Sequence, residues 1–249
     1  MKIVVDQYST DGSSLSKERC EQIILVYSLC ASMGNRLVSY RDIQKKAEEV
    51  KLFGFAKAPN VIRTIFPLLK KLGFVDYSDN NEFPAASFFT DLGKAFISSL
   101  QALYNANELE DSKEKESAIE KVQSAIEMIM QIGISNLSAS ENKSHNILLA
   151  IEILRTEKEI FWNELLYVLQ RYKEGQSITQ AIEEVKEHRN KNIEFEYVNS
   201  EGSKIHNTAY SYIRSFLSEA GIIENTKGFH SKLKNTSIDF IKTLPHYGD

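Results

Sequence analysis

The sequence predicts a mainly α protein with small β-hairpin wings, organised as two similar modules joined by a connecting helix. Three observations lead there. Apolar residues recur at helical spacing through most of the 249 residues, and a polar turn between two short aromatic stretches follows the third helical segment. A segment near residue 212 also repeats one near residue 65.

Residues 18–33 place Ile23, Ile24, Tyr27 and Cys30 at helical spacing, and Gly34-Asn35 supplies a C-terminal stop. Residues 36–40 read as a brief extended stretch, and a second helix runs from Tyr40 to about Val50. Asn60 to Leu72 carries Ile62, Ile65, Phe66, Leu69 and Leu72 on one face and ends at Gly73, a residue suited to a left-handed cap. Pro67 removes one backbone donor from this third helix, so either a kink occurs there or the regular helix begins after Asn60. Phe74 to Ser78 and Ser87 to Phe89 flank a turn at Asp79-Asn80-Asn81, and a helix follows from Asp91 to about Leu100. Three helices followed by a two-stranded hairpin spell a winged helix-turn-helix.

The stretch Tyr212 to Ile223 matches Ile65 to Val75, with Leu217 opposite Leu69 and Gly221 opposite Gly73. Leu233 precedes Phe240-Ile241 as Phe89 precedes Phe96-Ile97, and duplication of one module is the simplest account. The expected domains are residues 1–103, a connecting helix and linker at 104–144, and a second winged helix at 145–249. The connecting helix carries an apolar stripe at Ile119, Val122, Ile126, Ile129 and Met130 and is expected to end near Gly133. In the second module, apolar faces at Leu148 to Ile153 and at Phe161 to Leu169 read as helices, and Ser177 caps another. Residues 193–207 read as an insertion before the third helix of that module. Phe161, Trp162 and Tyr167 read as core or inter-domain packing.

Composition narrows the function classes. The net charge is −4, distributed as +2 over 1–103, −5 over 104–175 and −1 over 176–249. Local basic faces can meet phosphate, but a generally basic coat is excluded. No apolar run reaches the roughly 18 residues of a membrane helix, so no membrane partner is expected and the chain reads as cytoplasmic. Cys20 and Cys30 lie about 15 Å apart along one helix, too far for a disulfide. Five scattered histidines offer no zinc spacing, and no cofactor is expected. Glu184-Val185-Lys186 has the spelling of a nuclease Glu-x-Lys but falls on a helical stretch, where it reads as a solvated face. Phosphate-loop, dinucleotide and hydrolase-elbow signatures are absent, so the sequence shows no catalytic constellation.

The remaining constellation is the outward face of each third helix. In the first module it comprises Asn60, Arg63, Thr64, Lys70 and Lys71; in the second, Lys204, His206, Asn207, Tyr210, Ser211 and Arg214. Arg and Asn suit bidentate contact with guanine and adenine edges, and lysines neutralise phosphate. Double-stranded DNA is the expected partner. Asn80, Asn81, Lys227 and His230 on the wings are further candidates for backbone or minor-groove contact.

Phe88-Phe89-Thr90-Asp91-Leu92-Gly93-Lys94 resembles the ending common in winged-helix DNA readers, and Tyr210 to Ile223 resembles the second helical reader of FokI- and AlwI-like type IIS restriction endonucleases. In that family tandem winged helices recognise an asymmetric duplex site and a separate nuclease domain cuts beside it. The resemblance implies the recognition moiety or subunit of a restriction-modification system, with any nuclease supplied by a partner. Ser237 stands where the first copy has Gly93. Two other classes share the architecture: a dimeric winged-helix transcription regulator, and a tandem winged-helix protein-interaction subunit similar to those of SMC-kleisin complexes.

Overall fold

The structure, a computed structural model, describes residues 1–4, 15–54, 58–78, 81–140, 145–204 and 209–248. It is mainly helical with small sheets, and the chain divides into two compact units, Asp11–Asn142 and Met1–Thr10 with Lys143–Asp249. This division departs from the expected 1–103, 104–144 and 145–249. Strand β1 (Lys2–Val4) counts with the C-terminal residues, and the expected connecting segment counts with the N-terminal ones.

In the Asp11–Asn142 unit, Ser16 caps α1 (Lys17–Met33) by accepting from the Arg19 N–H at 3.3 Å. Strand β2 (Leu37–Val38) leads to α2 (Tyr40–Glu49), opened by a capping box between Ser39 and Asp42. Helix α3 (Ala58–Lys71) runs unbroken through Pro67. Having no N–H, Pro67 leaves the Arg63 carbonyl without its intrahelical donor. Ile62, Ile65, Phe66, Leu69 and Leu72 are all buried, as their spacing predicts. Strand β3 (Phe83–Pro84) pairs antiparallel with β2, and α4 (Asp91–Asn107) follows, capped by Thr90.

The expected pairing of 74–78 with 87–89 shrinks, among the described residues, to the single bridge Val75 with Phe89. Pro84 cannot donate to a ladder, and Ala85–Ser87 turns as a 3-10 helix instead of extending. Helix α5 (Ser112–Ala139), about 42 Å long at 1.5 Å per residue, packs on α4 and α3. It passes through Gly133 instead of stopping there. A Cβ at Gly133 would lie 3.0 Å from the Phe74 ring, so this glycine lets α5 approach the core. From α5, Asn136 Nδ2 donates to the Leu72 carbonyl at 3.1 Å, satisfying an orphan acceptor at the end of α3.

The other unit begins with α6 (Asn146–Glu157), which ends at Lys158 in the left-handed region (φ 62°). Strand β4 (Glu159–Phe161) comes next, so Phe161 lies on a strand and not on the expected helix. Helices α7 (Leu165–Lys173) and α8 (Ile178–Asn190) lead to β5 (Glu196–Val198), which pairs in parallel with β1. Helix α9 (Ala209–Glu219) is followed by β6 (Ile223–Asn225), β7 (His230–Leu233) and α10 (Ile238–Thr243). The sheet order is β4-β7-β6, with both pairings antiparallel. Trp162 and Tyr167 are buried.

The two units share one hydrogen-bond sequence around their matching glycines. Phe74 N–H donates to the Leu69 carbonyl at 2.8 Å, and Ile222 N–H to that of Leu217 at 2.9 Å; Gly73 and Gly221 both have positive φ, 76° and 68°. Thr90 N–H then donates to the Phe74 carbonyl, and Lys234 N–H to that of Ile222. Thr90 Oγ1 donates to the Gly73 carbonyl at 2.6 Å, whereas Ser237 Oγ donates to the equivalent Gly221 carbonyl at 2.8 Å. Ser237, three residues beyond Lys234, thus satisfies the Gly221 carbonyl much as Thr90 satisfies that of Gly73 in the Asp11–Asn142 unit.

Candidate nucleic-acid interface

Helix α3 presents Asn60, Arg63, Thr64 and Lys70 to solvent, with Lys71 half-buried. The face exists because the apolar residues of this helix all lie on the opposite side. Arg63 is exposed and makes no ion pair or hydrogen bond to another of the described residues. Thr64 Oγ1 donates to the Asn60 carbonyl at 2.7 Å, which leaves the hydroxyl able to accept. Lys70 Nζ sits 4.4 Å from the centre of the Tyr77 ring, and Tyr77 stacks on Tyr40 at 4.2 Å, so the cation is steadied over an aromatic pair at the end of the helix.

On α9 the arrangement differs from the expected one. Tyr210 is 2% exposed and belongs to the apolar stripe with Ile213, Phe216, Leu217 and Ala220. It cannot reach a base edge from there, which corrects its placement in the outward set. Ser211 is exposed, and so is Lys204, which precedes the helix and bridges to Val198; His206 and Asn207 lie outside the described residues. Arg214 is half-buried and turned toward the β6–β7 hairpin. Its Nε donates to Asn225 Oδ1 at 2.8 Å, its Nη1 to the Gly228 carbonyl at 2.9 Å and its Nη2 to the Thr226 carbonyl at 3.3 Å. The spacing on α9 puts Arg214 on the right side of the helix, but the bond to the hairpin depends on a turn 12 residues away in sequence.

The expected wing positions divide likewise. Asn81 and Lys227 are exposed, and Asn80 lies outside the described residues. His230 is held in the fold: it stacks on Phe161 with ring centres 4.4 Å apart, and its ring nitrogens lie 2.7 Å from Thr226 Oγ1 and 3.1 Å from Glu159 Oε2.

Glu184 and Lys186 both sit on α8 and have separate partners. The Tyr167 hydroxyl donates to Glu184 at 2.5 Å and Gln176 Nε2 at 2.9 Å, while Lys186 pairs with Glu157 and Glu183 at 3.0 Å. Those hydrogen bonds hold the Glu184 carboxyl below its ordinary pKa range. The described residues contain no group of three or more His, Cys, Asp or Glu arranged to hold a metal ion. No helix among them is long and apolar enough to cross a membrane. Comparison with protein-family models, with curated proteins and with solved structures finds no match to this chain.

Proposed function

We propose that the chain binds double-stranded DNA sequence-specifically through two winged helix-turn-helix modules, as the recognition moiety or subunit of a restriction-modification system whose nuclease is a partner. The observation that carries this reading is the outward face of α3, where an exposed Arg63 lies beside Asn60 and Thr64 and is followed by Lys70 and Lys71. Arg and Asn in that setting match base-edge readout, and the lysines match phosphate anchoring. The shared hydrogen-bond pattern around Gly73 and Gly221 supports a duplicated module. The antiparallel order β4-β7-β6 supports a wing folded back on an earlier strand. The restriction-system assignment is supported by the resemblance of residues 210–223 to type IIS recognition domains.

Base reading falls mainly to α3. Lys204 and Ser211, with His206 and Asn207, serve the second module as phosphate or base contacts, while Tyr210 packs inside and Arg214 holds the hairpin. Enrichment of a random duplex pool at about 150 mM salt tests the reading, because that level suppresses phosphate-only binding. An asymmetric enriched motif is expected. Arg63→Ala should then weaken binding to that motif by about 1–3 kcal/mol and relax preference at one position. Absence of enrichment at that salt, and of any duplex binding at low salt, overturns the proposal.

A further inference from the structure

Phe229, at the tip of the β6–β7 hairpin, is 68% exposed, more than any other large apolar side chain among the described residues. Hairpin tips are ordinarily polar. Here the tip is also braced. The Trp162 N–H donates to the Phe229 carbonyl at 2.9 Å, and Arg214 holds the Gly228 and Thr226 carbonyls on either side of Lys227. Asn225 Oδ1, which accepts from Arg214, also accepts from Ser231 Oγ at 2.9 Å. Ser231 in turn accepts from the indole N–H of the buried Trp162 at 2.9 Å. A continuous chain of hydrogen bonds thus ties the tip to the core of its unit, and Gly228 at φ 74° makes the turn that such a tip requires.

Lys227 is exposed next to the turn glycine, and farther down β7 Lys232 stands in register between Glu159 and Glu224. An apolar ring on a rigid support with the Lys227 cation beside it has the chemistry of a wedge for stacked bases. The ring gains by leaving water between base pairs, and the lysine gains at a flanking phosphate.

We propose that the β6–β7 tip is a DNA-deforming wedge, in which Phe229 enters a base step from the minor groove and Lys227 takes an adjacent phosphate. This rests on the reading of the chain as a duplex-DNA binder. It gives Arg214 a positioning role: the guanidinium keeps the tip from yielding when the base pairs resist separation.

The test uses the full chain with duplexes enriched from the random pool. End-to-end energy transfer reads bending, and permanganate oxidation reads unstacked thymines. The parent protein is expected to bend the duplex and expose thymines at one step. Phe229→Ala should bind about tenfold more weakly and do neither, whereas Phe229→Leu, still an apolar wedge, should keep both. Arg63→Ala should lower affinity and leave the deformation of bound duplex unchanged. If Phe229→Ala binds and deforms DNA as the parent does, or the parent deforms nothing, the wedge is overturned and the DNA-binding reading stands. A parent that binds no duplex even at low salt overturns both.

Discussion

Replacing Gly93 by alanine sets two effects of opposite sign against each other. Gly93 lies in α4, where exchange of glycine for alanine alone would stabilise by about 1 kcal/mol. The alanine Cβ, however, would stand 1.9 Å from the Phe74 carbonyl oxygen and 2.9 Å from its carbon. Ordinary contact requires the two backbones to part by about 1.5 Å. The atom in the way is backbone and already employed: it accepts from Thr90 N–H at 3.1 Å and from Thr90 Oγ1 at 3.3 Å. Overpacking costs about 1–3 kcal/mol and each weakened hydrogen bond about 1 kcal/mol more. The expected net effect is a loss of about 2–4 kcal/mol. Urea unfolding followed by far-UV circular dichroism reads this as a lower midpoint at unchanged slope. A midpoint equal to or above the parent's would show that α4 does not approach Phe74 as described, and the reasoning fails.

Arg189→Ala strands the buried Glu164, whose carboxylate takes Nε at 2.6 Å and Nη2 at 2.5 Å, and should cost about 3–5 kcal/mol; a thermal unfolding midpoint within a degree of the parent's would contradict it. Burial pushes the Cys30 thiol up to about 12, leaving only about one thiolate in ten thousand at pH 8. Native protein should therefore resist iodoacetamide at Cys30 and react on unfolding, as peptide mapping would reveal; rapid native labelling would refute the burial. Asp42, Glu174 and Glu184 are held below their ordinary values by the hydrogen bonds they accept. Their stabilisation is complete above those values and is lost as pH falls through the lower folded ones. Glu184→Gln should thus flatten the acid limb of a plot of urea midpoint against pH, and an unchanged limb would count against that pairing.

What the sequence made legible is local. Ser177 announces a helix start, Gly34 and Gly73 announce ends, and the 62-65-66-69-72 spacing defines the buried side of α3. Gly133 misleads because a glycine placed for close approach carries the same letter as one placed for a turn. Strands β4 and β7 are three and four residues long and meet across some 70 positions, and β1 meets β5 across most of the chain; neither pairing leaves a periodic trace. Helical spacing on α9 identifies Ser211 as exposed but carries no sign that Tyr210 turns inward or that a distant turn engages Arg214. Ser237 differs from Gly93, yet its hydroxyl satisfies the Gly221 carbonyl much as that of Thr90 satisfies the Gly73 carbonyl, a tertiary contact that the letter alone does not show.

The pairing of β1 with β5 has a consequence for synthesis. During translation Lys2 is available long before Glu196, its partner in the register. At ordinary elongation rates the interval is roughly 10–40 s. Throughout it the first strand lacks its partner β5, and before it ends every residue of the Asp11–Asn142 unit has been made. The unit that begins first is thus the last to be completed, and the strand waiting for it is a short one with the charge of Lys2 upon it, which limits wrong pairing between nascent chains.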